Sequence, residues 1–159
     1  MQKKSSTLDA LDKRLLTLIQ KDASLTHAQL AQLAFSSAPT VFRRMERFHQ
    51  LGLIDKQITV LAPEKLGFGL TAIIELAMEN QASDTLLRME QCLKNEVAVQ
   101  QVYRVSGGAD FILVVNTPDM EAYHELVHRV FTAAQQVRNV RSFFSTHRSK
   151  FAPAVQLID

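Results

Sequence analysis

The stretch SSAPTVFRRMERF, Ser36–Phe48, combines a helix-start signal with an uneven placing of charge. Ser37 and Pro39 are typical of the first positions of a helix, where a side-chain oxygen caps free amides and proline loses no donor. Three arginines then fall within five positions, beside apolar residues at helical spacing. The stretch predicts a helix over residues 38–51 with an apolar stripe and a basic side, ended by Gly52.

Two further helices are predicted before this one, over residues 7–21 and 27–34. Each carries leucines at helical spacing, and Thr7 and Thr26 can act as their N-caps. The short polar break at 35–37 gives the last two helices the spacing of a helix-turn-helix. Residues 53–61 alternate in hydrophobicity, which predicts either a small wing-like hairpin or a single connecting strand.

The rest of the chain changes pattern after a linker-like segment at residues 62–67, which contains a proline and a glycine. Apolar alternation and helical periodicity then give the order βαββαβ, a ferredoxin-like arrangement. The predicted strands cover 70–78, 97–105, 111–116 and 140–146, and the predicted helices cover 83–94 and 119–134. The fold class is therefore α+β, with a (winged) helix-turn-helix domain at 1–62 and a βαββαβ domain at 63–159.

Charge is distributed unevenly along the 159 residues, whose formal net charge is +2. Residues 1–62 hold nine Lys or Arg and five Asp or Glu, hence +4, whereas residues 63–159 hold nine and eleven, hence −2. This asymmetry favours a basic N-terminal module. The chain has no apolar run of membrane-spanning length, no secretory signal pattern and a single cysteine, Cys92, so we expect a cytoplasmic protein without a membrane partner.

The basic side of the third predicted helix is the main candidate for a partner surface. Arginine forks fit phosphate oxygens and guanine edges in the major groove, and the free amides at a helix start can receive a phosphate. A solvated basic face on an ordinary three-helix domain is the alternative, since Glu46 can neutralise one arginine. The predicted DNA-binding residues are Ser37, Pro39, Thr40, Arg43, Arg44 and Arg47.

Catalytic and metal-binding patterns are weak. His124 and His128 are spaced i, i+4 on a predicted helix, but no carboxylate or cysteine set accompanies them at ligand spacing. The adjacent glycines of VSGGAD (105–110) do not match a phosphate-binding loop, and on residues alone a tight hairpin is favoured over a ligand site. We expect no enzyme activity, no metal and no cofactor.

Several segments together resemble the leucine-responsive regulatory protein/AsnC family, the feast/famine transcription regulators. The resemblance runs from about Leu8 to Lys150 and depends on the order and spacing of its motifs. These are LDALDKRLLTLIQKDASLT (8–26), the helix-turn-helix, LGLI (51–54), PEKLGFGL (63–70), VSGGAD (105–110) and TPDMEAYHEL (117–126). Two departures lie in the turn, where Phe35 and Ser36 replace a usual glycine and leucine, so we expect a slightly different turn shape.

The resemblance implies an N-terminal domain that binds double-stranded DNA and a C-terminal domain that senses an amino acid such as leucine. It also implies a homodimer, often assembled into octamers, with the effector bound between dimers near the VSGGAD loop. Gly107 would supply close backbone contact, and Asp110 would orient the loop or meet the effector's amino group. The residues implied at the effector site are Arg104, Ser106, Gly107, Ala109, Asp110 and Ser142.

The family's usual loop carries a further carboxylate and apolar bulk that this chain lacks. Ala109 stands in that part of the loop, which leaves the identity of the effector open. We therefore predict a sequence-specific transcription regulator modulated by a small amino-acid effector. The alternatives are an oligomeric amino-acid sensor that does not bind DNA and a small enzyme on the same fold.

Overall fold

Three helices form the N-terminal part of the computed structural model, which describes residues 8–132 and 135–157. They are α1 (Ala10–Lys21), α2 (His27–Ala34) and α3 (Ala38–Gln50). Thr26 and Ser37 cap the second and third helices, which confirms both predicted helix starts. Gly52 follows α3 with φ +65°, a left-handed conformation that glycine adopts readily.

The first helix begins later than predicted. Asp9 is its N-cap and accepts a hydrogen bond from the backbone amide of Asp12 at 2.8 Å, while the Asp12 side chain accepts one from the Asp9 amide at 3.2 Å. This reciprocal capping box satisfies two amides that a helix start leaves free, which fixes the first turn at this point. The predicted cap Thr7 lies outside the described residues.

An apolar cluster holds the three helices together. Leu15, Leu30, Val41 and Phe48 are almost entirely buried in it. The chain's tail joins the same unit: Gln20 accepts a hydrogen bond from the Val155 amide at 2.7 Å and donates one to the Val155 carbonyl at 3.1 Å.

The chain divides into two compact units, and their boundaries differ slightly from the predicted domain boundaries. Among the described residues, one unit contains 8–60 together with 150–157, and the other contains those within Leu61–Ser149. The predicted second domain extends through residue 159, whereas the structure places the described tail, residues 150–157, with the helices.

The predicted wing is absent from the structure. Residues 53–62 form neither hairpin nor strand, and residues 55–61 share no backbone hydrogen bond with any described residue. Alternating hydrophobicity does not make a strand without a neighbouring strand to complete its hydrogen-bond ladder. Ile58 and Val60 are accordingly 67% and 56% exposed. A short 3₁₀ turn at Pro63–Leu66 lies near the start of the second unit.

A four-stranded antiparallel sheet with two helices forms the second unit. Its strand order is β2-β3-β1-β4, which confirms the predicted ferredoxin-like arrangement. The elements are β1 (Leu70–Met78), α4 (Ser83–Asn95), β2 (Val99–Arg104), β3 (Phe111–Thr117), α5 (Met120–Val130) and β4 (Val137–Phe144).

The last strand starts three residues before its predicted position. Its lead-in, Gln136, has φ +59°, and its carbonyl accepts a hydrogen bond from the Glu79 amide at 2.8 Å. That bond extends the β1–β4 pairing past a register shift at Ala77/Met78. As a result Arg138 belongs to the sheet rather than to a loop.

Inward-facing residues of the strands pack against α4 and α5. Ile74, Leu76, Phe111 and Leu113 are fully buried there. The opposite face of the sheet has no covering layer within this unit, and exposed apolar side chains remain on it. None of the described helices combines the length and apolar character needed to cross a bilayer.

Candidate nucleic-acid interface and ligand cavity

The start of α3 is an exposed, small-residue helix terminus. The Ser37 hydroxyl accepts a hydrogen bond from the Thr40 amide at 3.4 Å, and the two hydroxyls lie 2.8 Å apart. Ser37 and Pro39 are exposed and Thr40 is half-buried. The terminus thus presents its positive dipole end without a bulky side chain over it, which suits a phosphate.

Two of the three predicted DNA-contacting arginines are directed towards α1. The Arg44 Nη1 atom lies 2.7 Å from Asp9 Oδ2 and 2.8 Å from Asp12 Oδ1. The Arg47 Nη1 atom lies 3.0 Å from Asp12 Oδ2. The sequence placed both guanidinium groups on an outward basic face, and the structure corrects that position, because both groups bind the carboxylates of the first helix.

Asp12 is the centre of this network and is 0% exposed. A buried carboxylate is strongly unfavourable unless charge and hydrogen bonds compensate it, and the two arginines provide both. The Asp12 amide and, to a lesser extent, Arg44 hold the pKa of Asp9 below its ordinary value. Burial opposes the charge of Arg44, but hydrogen bonding to Asp9 and the charges of Asp12 and Asp9 raise the Arg44 pKa. The network joins α3 to α1.

Sequence reasoning missed this network although a signal was present. Asp12 occupies a position in the apolar register of α1, four residues after Leu8 and three before Leu15. A carboxylate at a core-facing position requires a cationic partner from another element, and the arginines of α3 are the nearby source.

Arg43 is the arginine that remains outward. It is exposed, and within the part of the chain that the structure describes it takes part in no ion pair. We call Ser37, Pro39, Thr40 and Arg43 the recognition face. Phe42 lies beside it, 54% exposed, with its ring 5.6 Å from that of His27 in an edge-on contact.

Phe35 occupies the turn between α2 and α3 with φ +54° and ψ +51°. Left-handed backbone is ordinary for glycine and costly for phenylalanine. The ring is 89% exposed, and the Arg14 guanidinium lies 6.0 Å from its centroid. The turn therefore adopts a glycine-like backbone despite the substitution, where we expected a different shape.

The second unit contains a cavity of about 550 Å³ beside the VSGGAD loop. The end of β1, the loop between β2 and β3 and the start of β4 enclose it. Its lining includes five of the six residues predicted for the effector: Arg104, Ser106, Gly107, Ala109 and Asp110. Glu79 and Arg138 also line it, and sequence reasoning missed both because one was placed after a strand and the other in a loop.

Asp110 closes the loop onto β1. Its Oδ2 accepts a hydrogen bond from the Met78 amide at 2.7 Å, and its Oδ1 accepts one from Gln81 Nε2 at 2.9 Å. The Asp110 amide donates to the Leu76 carbonyl at 2.9 Å, and the residue is 7% exposed. Of the two roles implied for Asp110, this geometry favours orienting the loop over meeting an amino group.

The two loop glycines have φ +101° and +81°. No heavy atom lies within 4 Å of a Cβ built at either position. Glycine is therefore required there by backbone conformation rather than by crowding within the chain, and the space beside the loop is open.

Ser142 does not line the cavity. Its hydroxyl forms a short hydrogen bond with the Tyr123 hydroxyl, so its side chain lies between β4 and α5. Ser142 is therefore the one residue predicted for the effector that lies apart from this cavity, and its role there stays a prediction. Among the described residues no group of three His, Cys, Asp or Glu is arranged to hold a metal ion, and His124 and His128 belong to none.

Two known domain families match the chain, one for each unit. Residues 8–49 fit the AsnC-type helix-turn-helix domain, and residues 71–155 fit the Lrp/AsnC ligand binding domain. An uncharacterized HTH-type transcriptional regulator from Haemophilus influenzae is 33% identical over 144 residues, covering 91% of this chain and 86% of that protein.

The chain belongs to the Lrp/AsnC family. It is a DNA-binding transcription regulator of that family, which confirms the predicted regulator class, and it is not an enzyme, as predicted. The DNA-binding transcriptional activator DecR of Escherichia coli is 26% identical over 150 residues, covering 94% of this chain and 99% of that protein.

The fold of this Lrp/AsnC protein has solved counterparts. A transcriptional regulator from Neisseria meningitidis, solved in complex with L-Met, superposes with a TM-score of 0.88 at 23% identity. The match covers 94% of this chain and 97% of that one.

Proposed function

We propose that this regulator reads operator DNA with the recognition face, while Arg44 and Arg47 hold α3 on α1. The observation that carries the proposal is the division among the three arginines: two are bound to a buried carboxylate and one is exposed beside a free helix start. Arg43 supplies the charge that can reach a phosphate or a guanine edge. The α3 terminus supplies backbone donors for a neighbouring phosphate.

DNA binding is tested by a fluorescence anisotropy titration of the full chain with the DNA upstream of its own gene. We expect Arg43→Ala to weaken binding by about tenfold or more, since a base-reading contact contributes ~1–3 kcal/mol. Arg88→Ala is the matched control, because Arg88 is an exposed arginine of α4 whose partners among the described residues are Asp84, at 3.4 Å, and Thr85. Absence of wild-type binding at low salt would favour the sensor that does not bind DNA.

We propose that the chain forms a homodimer, which can assemble further towards an octamer, in order to bind DNA. A single helix-turn-helix makes few base contacts, and a dimer reads two half-sites. The face of the sheet opposite the helices exposes Ile73, Tyr103 and Phe143, which are 43%, 54% and 42% exposed. We propose this apolar face as the dimer contact.

Light scattering of the full chain tests the assembly. We expect masses of two or eight chains of 17.9 kDa each. Phe143→Glu should shift the wild-type mass towards the monomer and reduce DNA affinity together with it. A wild-type monomer at micromolar concentration would exclude the dimer.

The cavity beside the VSGGAD loop is the proposed effector site. Its volume lies in the range of small-molecule sites, and it is part of a region that fits a ligand-binding domain. The N. meningitidis neighbour was solved with an amino acid, L-Met. An amino acid that binds here should raise the melting temperature of the chain. A screen of the twenty amino acids without any stabilisation would contradict the proposal.

A further inference from the structure

The charged side chains of the cavity indicate which amino acids it can accept. Four line it: Arg104, Arg138, Glu79 and Asp110. Asp110 is buried, and both of its oxygens already accept hydrogen bonds from the Met78 amide and Gln81. Both donors are neutral and do not cancel the charge of the carboxylate, but its oxygens are occupied within the loop and the residue is 7% exposed, so Asp110 orients the loop rather than contacting a ligand.

The other three charges are uncommitted. Among the described residues, neither Arg104 nor Arg138 takes part in a side-chain hydrogen bond or ion pair, and the same holds for the Glu79 carboxylate. Lys94, whose Nζ lies 2.7 Å from Glu90 Oε1, lowers the pKa of Glu90 the most, and the charge of Arg104 lowers it to a smaller extent. The cavity thus offers two guanidinium groups and one carboxylate.

The apolar share of the lining is small. Met78 and Leu86 are buried core residues that only border the cavity, so Val105, which is 36% exposed, and the small Ala109 supply its accessible apolar surface. A leucine-like side chain would gain little from such walls, because the hydrophobic gain scales with the apolar area removed from water. Polar and charged groups of the ligand must therefore supply the recognition.

We propose that the cavity selects acidic amino acids. An acidic amino acid carries two carboxylates and one ammonium group, which matches two guanidinium groups and one carboxylate. Each guanidinium can bind one carboxylate with two parallel hydrogen bonds, and Glu79 can accept the ammonium. A neutral amino acid would leave one guanidinium unpaired. The inference rests on the proposed effector function of this same cavity.

Isothermal titration calorimetry of the full chain with acidic and neutral amino acids tests whether the cavity selects the acidic ones. Glutamate and aspartate should bind, whereas glutamine, asparagine, leucine and methionine should bind at least tenfold more weakly. Tighter binding of a neutral amino acid would overturn the acidic class and leave the effector site intact. No binding by any amino acid would overturn both, while the DNA titration remains an independent test of the recognition face.

Variants locate the contacts. Arg138→Ala and Arg104→Ala should each weaken glutamate binding by about ten- to a hundredfold, the range for losing a charged hydrogen-bonding partner. Both side chains are exposed, so the fold tolerates the changes, and an unchanged melting temperature without ligand checks this. Arg88→Ala, outside this cavity, should bind glutamate like the wild type. Unchanged binding in both cavity variants would contradict the proposal.

Glutarate, which lacks the amino group of glutamate, isolates the role of Glu79. The wild type should bind glutamate more tightly than glutarate, and Glu79→Gln should remove that difference. Equal binding of the two ligands by the wild type would overturn the ammonium contact and with it the choice of an amino acid over a simple dicarboxylate.

Discussion

The two units each bury one carboxylate among the described residues, and they satisfy it with different donors. In the helical unit Asp12 binds two arginines of another helix. In the sheet unit Asp110 binds a backbone amide and a glutamine amide. Arg44 and Arg47 of the helical unit are thereby paired within the unit, whereas Arg104 and Arg138 of the cavity stay available. A basic side chain can be assigned to a ligand only after the buried charges of its own unit have been satisfied.

The largest effect is expected where a buried charge loses its charged partners. Arg44→Ala combined with Arg47→Ala leaves Asp12 without compensation, and this should lower the free energy of unfolding by about 3–5 kcal/mol. Urea unfolding of the full chain measures it. Arg43→Ala serves as control and should remain within about 0.5 kcal/mol of the wild type. A double variant as stable as this control would mean that the network does not hold α3 on α1.

Removing the Asp110 carboxylate, whose hydrogen-bond donors are neutral, should lower the free energy of unfolding less than the double arginine variant does. Asp110→Ala leaves the buried Met78 amide without an acceptor, so we expect a loss of about 1–3 kcal/mol in the same unfolding assay. Asp110→Asn keeps one acceptor oxygen for that amide and should lose less. If Asp110→Ala destabilised the chain more than the double arginine variant, the ranking of the two units would be reversed.

Backbone strain at Phe35 should give a smaller effect of opposite sign. Phe35→Gly removes a left-handed phenylalanine and should stabilise the chain by about 0.5–1 kcal/mol, which a rise in melting temperature detects. Gly52→Ala is the reverse change at φ +65°, with no atom near the added Cβ, and should destabilise by a similar amount. Destabilisation by Phe35→Gly would show that the contact with Arg14 outweighs the strain.

The smallest effect is expected at the exposed edge of the Asp12 network. The Asp12 amide and Arg44 lower the pKa of Asp9 from its ordinary value of 3.8 in the folded chain. A lowered folded-state pKa gives stability that is present above 3.8 and is lost as the pH falls through the folded value. Asp9→Asn should therefore flatten the fall in stability below pH 4. An identical acid limb in wild type and variant would remove Asp9 from the network.

The periodicity of apolar residues was sufficient to predict the helices and strands that have a packing or hydrogen-bonding neighbour within the chain. Helices α2 and α3 and the strands β1 and β3 follow directly from apolar spacing and capping residues, and the ferredoxin-like order follows from their sequence. Residues 53–61 carry the same alternation without a strand beside them, so the predicted wing does not form. Alternation records which side chains prefer burial and not whether a hydrogen-bonding neighbour exists.

The sequence predicted where the residues of the candidate sites lie better than it predicted what their side chains contact. The loop around Gly107 lines the cavity, but Arg138 entered it through a register shift that no local pattern signals. Arg44 and Arg47 lie on the predicted helix, yet their direction depends on Asp12, thirty-two and thirty-five positions away in the chain. Helical spacing assigns a face, and the partner on another element decides whether that face meets solvent.

The salt dependence of DNA affinity in Arg43→Ala tests the division of the arginines most directly. If Arg43 contacts a phosphate, the slope of log K against log salt should become shallower by ~0.9 per site, with lower affinity at low salt and unchanged stability. If it reads a base, affinity should fall for the operator more than for unrelated DNA. Wild-type affinity and slope for both DNAs would contradict the assignment of Arg43 as the outward arginine of the recognition face.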